Sequence, residues 1–149
     1  MASKEELKEK GLRGFPKVVY TQLAPLNDNE LFKEQYKETS LKILLNPNDQ
    51  LKAALIIFEN GTVDVTEYKK SEPTMNLAKR KILIGYDAML QVSTQMLFDI
   101  VSGKTSVVKL MKDNVKDKNV KVKGKLKLLK LLKAFSLLKK TDEETDEGS

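Results

Sequence analysis

The chain has 149 residues, 40% apolar and 32% charged, which suits one globular domain with a sizeable core and leaves little room for two. It contains no Cys and no His, which removes thiol nucleophiles, imidazole bases, disulfides and the commonest zinc ligands together. The net charge of +6 conceals an asymmetry: residues 141–149, TDEETDEGS, are acidic without a single base, so residues 1–140 carry +11, from 27 bases against 16 acids.

The opening MASKEELKEKGLRGF lacks the apolar centre of a secretory signal, and no apolar run approaches the ~20 residues of a membrane span. A cytoplasmic location is expected. Residues 1–27 are assigned to an N-terminal leader, its first 14 residues mobile, residues 28–140 to the folded domain, and residues 141–149 to an acidic, disordered tail. LNDNELFKEQYKETSLKILL, residues 26–45, predicts a helix. Asn27 caps it, Glu30 completes a capping box, and Phe32, Tyr36, Thr39, Ile43 and Leu44 fall near one face. The NPND turn at 46–49 ends it.

Two β-rich runs flank Asn60-Gly61, the strongest short hairpin signal available. A two-residue loop puts Ala54, Ile56, Phe58, Val63 and Val65 on one face and Leu55, Ile57, Asp64, Thr66 and Tyr68 on the other. The first strand is apolar on both sides and is expected inside the sheet. RKILIGY and DAMLQVS predict two further strands with a break at 85–87; Ala88, Leu90 and Val92 point one way, Met89 and Gln91 the other. Ser93 or Thr94 caps a short helix that Gly103 ends, and TSVVKLMKDN predicts another. KNVKVKG alternates valine with lysine like an exposed edge strand. At Gly124 the period turns helical, and Leu128, Leu131, Leu132, Phe135 and Leu138 share a broad face opposite Lys130, Lys133 and Lys140. The order predicts an α+β fold, a mostly antiparallel five-stranded sheet covered by helices.

Chemistry-bearing motifs are missing from the sequence. It has no nucleophile elbow, no Walker loop and no dinucleotide fingerprint. Asp64 and Glu67 alternate faces of one strand, and Asp87 and Asp99 stand alone, so each reads as a solvated carboxylate. No enzyme is expected. The basic segment 118–140 raises nucleic acid, but Arg13 and Arg80 are the only arginines and no aromatic platform strand is present, so specific readout is not expected. A lysine face opposite a Leu/Phe face also fits a helix lying on a membrane, although packing on a sheet is the commoner origin of such a pattern.

DAMLQVSTQMLFDIVSGK followed by KNVKVKGKLKLLKLLKAF resembles the sterol carrier protein 2 (SCP-2) family. Asp87 opens the strand, Ser93 and Thr94 start the short helix, Gly103-Lys104 end it, and KNVKVKG supplies the basic edge strand before an apolar C-terminal helix. Lys118 departs from the glycine usual there, while Gly124 keeps the second glycine; the likeness covers roughly residues 28–138.

The resemblance implies a lipid-binding or lipid-transfer domain with an apolar tunnel, taking a fatty acid, fatty acyl-CoA or sterol-like ligand and closed by the C-terminal helix. The cavity residues expected on that basis are Ile56, Phe58, Val65, Met89, Leu90, Val92, Met96, Leu97, Val101, Val108, Met111, Leu128, Leu131, Leu132 and Phe135. Lys127, Lys130 and Lys133 are expected to meet a headgroup or an anionic membrane surface. A lipid or other hydrophobic small molecule is the expected partner, without cofactor, metal or catalytic residue. The alternative is a structural or interaction module on the same fold, acting through its basic surface with a vestigial cavity.

Overall fold

The computed structural model describes residues 12–75, 77–101, 109 and 121–147. Within them lie α1 (Phe15–Leu23), α2 (Glu30–Tyr36), β1 (Ser40–Pro47), β2 (Lys52–Glu59), β3 (Thr62–Lys69), α3 (Lys81–Ile84), β4 (Ala88–Val92), α4 (Thr94–Val101), β5 (Lys121–Lys123) and α5 (Lys125–Glu147). Two 3-10 turns, Ala24–Asp28 and Ala78–Arg80, link these elements.

The hairpin forms where the sequence placed it. Asn60 and Gly61 both take positive φ, 52° and 76°, which the tight turn between right-twisted strands requires. Glu59 pairs with Thr62, Phe58 with Val63 and Ile56 with Val65. Gly61 has a second reason to be glycine, since a Cβ there would stand 2.9 Å from the carbonyl oxygen of Lys33, where α2 crosses the turn. The Gly61 N–H donates to the Tyr36 carbonyl at 3.1 Å and fixes that crossing.

The five described strands lie in the order β3-β2-β1-β4-β5. All neighbours are antiparallel except β1 and β4, which run parallel, so the sheet is mixed. The parallel pair is tied at its start by Asp87, whose Oδ2 accepts the Lys42 N–H at 2.8 Å while its own N–H donates to the Lys42 carbonyl at 2.7 Å. Asp87, expected as a solvated acid, thus sets a register.

Several elements differ from the sequence reading. The helix expected over 26–45 is cut short: α2 ends at Tyr36 and Ser40–Pro47 is the central strand β1. Its cap is Asn29, whose side chain accepts the Phe32 N–H at 2.9 Å. Asn27 instead clasps strand β3, taking the Val63 N–H at 2.8 Å and donating to the Val63 carbonyl at 3.0 Å. The strand expected at RKILIGY is the short helix α3, turned off by Gly85 at φ 86°. Residues 15–27, assigned to a leader, form α1 and a 3-10 turn that bury Phe15, Val19, Leu23 and Leu26. α5 continues through Glu147 and so takes in most of the segment expected as a disordered tail.

One face of the sheet carries the main core. Leu41, Ile43 and Leu45 of β1, Ala54, Ile56 and Phe58 of β2, Val63 and Val65 of β3, and Ala88, Leu90 and Val92 of β4 meet α1, α2, α4 and α5 there. Phe32, Tyr36 and Phe58 form an aromatic knot, with Phe32 and Tyr36 stacked at 4.7 Å and Phe58 tilted against both. On the opposite face, Leu77 and Tyr86 from the segment after β3 join Leu44, Ala53, Leu55 and Met89 of the sheet in a smaller cluster. Among the described residues, the buried polar ones are Asn46, Lys70 and Gln91; Asn46 Nδ2 donates to Gln91 Oε1 at 2.7 Å across the β1–β4 pair.

Candidate functional site

α5 closes the helix-covered face. It begins at Gly124, where φ is 69° and a Cβ would stand 2.9 Å from both Ala88 Cβ and the Asp87 carbonyl oxygen. Only glycine lets β5 turn into the helix against β4. The Gly124 carbonyl accepts the Lys127 and Leu128 N–H groups, starting the helical ladder. Spacing of three then buries Leu128, Leu131, Ala134 and Leu137 in the sheet core.

The neighbouring stripe of α5 is less covered. Leu132 and Phe135 are half-buried, as are Met96 and Phe98 of α4 and Val122 of β5, and all pack against the same core. The Phe98 ring reaches Phe15 of α1 with centroids 6.3 Å apart. Beside the buried stripe of α5, Leu132 and Phe135 are therefore partly open to water, as is Met96 on α4. α4 is held in place from two sides. Ser93 Oγ accepts the Met96 N–H at 3.2 Å, and Asp49 takes the Thr94 hydroxyl at 2.6 Å and its N–H at 3.1 Å.

Two clefts flank α5 among the described residues, both rimmed by lysine. One, of about 280 Å³, lies between α2 and α5 and is lined by Gln35, Tyr36, Thr39, Lys130 and Lys133. The other, of about 350 Å³, lies at the start of α5 and is lined by Lys81, Tyr86, Asp87, Lys123, Gly124 and Lys127. Of the three lysines expected to meet a headgroup or membrane surface, Lys130 and Lys133 line the first cleft and Lys127 the second. Burial raises the Tyr36 and Tyr86 phenols above their ordinary pKa, so both stay neutral donors at neutral pH.

Most of the expected cavity residues come together. Ile56, Phe58, Val65, Leu90, Val92, Leu97, Leu128 and Leu131 are buried in one cluster, with Met96, Leu132 and Phe135 packed against it. Met89 is on the other face of the sheet, with Leu44 and Leu55, because it sits one residue out of phase with Ala88 and Leu90. Val108 and Met111 lie outside the described residues, as does the side chain of Val101. The sequence reading left out Phe15, Phe98 and Tyr36. Phe15-Pro16 is a readable helix start, since proline suits the first turn, and Val19 and Leu23 follow at i+4 and i+8.

No protein-family model matches the chain, and no curated protein matches it. Four solved chains do. Among them is one described as a UbiJ-SCP2 ubiquinone synthesis protein, 10% identical, with a TM-score of 0.47 over 92% of this chain and 94% of that one. Among the described residues, no group of His, Cys, Asp and Glu could hold a metal ion, and no helix is long and apolar enough to cross a membrane.

Proposed function

We propose that the chain is a noncatalytic lipid-binding domain. A fatty acid, fatty acyl-CoA or sterol-like molecule enters along the seam between α4 and α5, and α5 closes over it. The observation that carries this reading is that Met96 of α4 and Leu132 and Phe135 of α5 are half-buried against the core, beside residues of the same two helices that are fully buried. Side chains of this kind gain by covering a flexible chain, at roughly 0.8 kcal/mol per methylene removed from water. Met96 adds an unbranched thioether that adapts to ligand shape. Lys127, Lys130 and Lys133, exposed on α5, offer a carboxylate or phosphate headgroup an ammonium partner in either cleft.

A second reading is an interaction module on the same fold. The lysine rims of the two described clefts favour it, since they present charge to the surroundings.

Native mass spectrometry of freshly purified protein, with extraction of whatever is bound, separates the two. Lipid adducts are expected, and Leu132→Asp or Phe135→Asp should abolish fatty-acid uptake while the sheet still folds. A clean apo mass, with no binding when acyl chains are added back, would sink the lipid reading and leave the interaction module.

A further inference from the structure

We propose that the end of the molecule formed by α3 and the start of α5 is a docking surface for an anionic lipid bilayer. α3 exposes consecutive aliphatic side chains, with Ile82 98% and Leu83 73% accessible. Single exposed apolar residues are ordinary on a soluble surface. Here two adjacent ones follow directly on Lys79-Arg80-Lys81, all exposed, and are held out by a turn that Gly85 closes with a 2.7 Å N–H bond to the Lys81 carbonyl. A Cβ on Gly85 would meet nothing within 4 Å, and while Ile84 and Tyr86 on either side of it pack inward, Ile82 and Leu83 are left in water.

Leu126, 79% accessible, stands at the start of α5 immediately before Lys127. Lys81 and Lys127 line one cleft with Lys123, which brings the α3 hook and the α5 start to the same end of the molecule. Asp87 is the acid in that cleft, and one of its carboxylate oxygens is committed to the Lys42 N–H at 2.8 Å. Ammonium groups therefore surround protruding aliphatic tips.

That combination suits an anionic bilayer. The cations are drawn to the headgroups, and Ile82, Leu83 and Leu126 enter the boundary between headgroups and acyl chains. A nucleic acid would use the lysines and gain nothing from the aliphatic tips. This surface shares Lys127 with the lipid-binding reading, but its aliphatic tips Ile82, Leu83 and Leu126 lie outside the residues that reading uses, so it goes beyond it.

Vesicle flotation of the full chain tests it, with phosphatidylcholine vesicles made with and without phosphatidylglycerol. The protein should float with the anionic vesicles only, and less so as salt rises. Ile82→Asp with Leu83→Asp should weaken binding at least roughly ten-fold, and Lys81→Glu with Lys127→Glu at least roughly five-fold per lysine. All four sites are exposed, so thermal unfolding should match wild type. Equal binding to both vesicle types, no binding to either, or unchanged binding by both variants would overturn the proposal. Two controls keep the readings apart. The Ile82/Leu83 variant should still take up fatty acid from solution, and Phe135→Asp should still float.

Discussion

The phenol of Tyr36 donates a 2.6 Å hydrogen bond to the carbonyl of Lys130, joining α2 to α5 across 94 residues of chain. Tyr36 also stacks on Phe32 and accepts the hairpin's Gly61 N–H on its own carbonyl. One residue thus couples the β2–β3 turn, α2 and the helix that closes the core. Tyr36→Phe keeps the ring packing and removes that bond, for an expected loss of about 1 kcal/mol in urea unfolding. Hydrogen exchange should rise in α5 more than in the hairpin. Equal acceleration throughout would mean that Tyr36 acts only through its ring.

Lys70 predicts an unusual pH profile. It is 7% exposed, and its Nζ donates to the Pro47 carbonyl at 2.6 Å and to the Pro73 carbonyl at 2.8 Å. Burial pulls its pKa down from 10.5 to about 8, against a smaller upward pull from Asp49. The unfolded chain therefore keeps this proton to higher pH than the folded one. The penalty for burying the charge is constant below pH 8, and stability rises as pH climbs from about 8 toward 10.5. The raised phenols of Tyr36 and Tyr86 act oppositely, losing stability above their ordinary value of 10.0. Comparison with Lys70→Met isolates the lysine: urea midpoints of wild type should gain on the variant over that window. Parallel profiles would show that the ammonium stays charged, held by its two carbonyls.

The hairpin was legible because Asn-Gly has few other uses between two β-rich runs, and α5 because its period changes at a glycine whose φ is 69°. β1 was hidden by its central place in the sheet. No alternation of polar and apolar residues marks it, since Ile43 and Leu45 are buried on one face and Leu44 and Asn46 on the other. A run apolar on both sides also satisfies helical spacing, and the adjoining Glu30–Tyr36 helix made that reading attractive. RKILIGY was misread for the reverse reason, since its aliphatic residues look buried and Ile82 and Leu83 are in water. Alternation and helical spacing indicated which residues face the core, while their role as cavity lining came from the SCP-2 resemblance alone. The Phe15–Phe98 and Tyr36–Lys130 contacts join distant segments, and no local pattern announces them.

Asn27 and Asn29 are near neighbours with different duties, and substitution should separate them. Asn29→Ala removes a helix cap and should cost about 1 kcal/mol. Asn27→Ala removes both bonds to Val63 and leaves an outer stretch of edge strand β3 unpaired. Its expected cost is about 1–3 kcal/mol, together with a greater tendency to self-associate through that edge. Light scattering during a thermal ramp checks the second effect. A variant as monomeric as Asn29→Ala would show that β3 is protected by other means.

Gly85 and Gly124 both take positive φ, yet their surroundings predict unequal outcomes. An alanine Cβ at Gly85 meets nothing, so Gly85→Ala should carry only the left-handed conformational penalty, about 1 kcal/mol. At Gly124 the same methyl carbon would press to 2.9 Å on Ala88 Cβ and the Asp87 carbonyl oxygen, atoms of β4 and the turn before it that cannot swing away. Gly124→Ala must therefore push β5 and the first turn of α5 off the sheet, at an expected cost above roughly 3 kcal/mol. Because Leu128 and Leu131 enter the core within two turns of that glycine, the displacement should also open the seam at Leu132 and Phe135. Fatty-acid uptake by the two variants, measured where both remain folded, separates a loss of stability from a loss of helix seating. Gly85→Ala should bind as wild type does, and Gly124→Ala should bind less at any temperature.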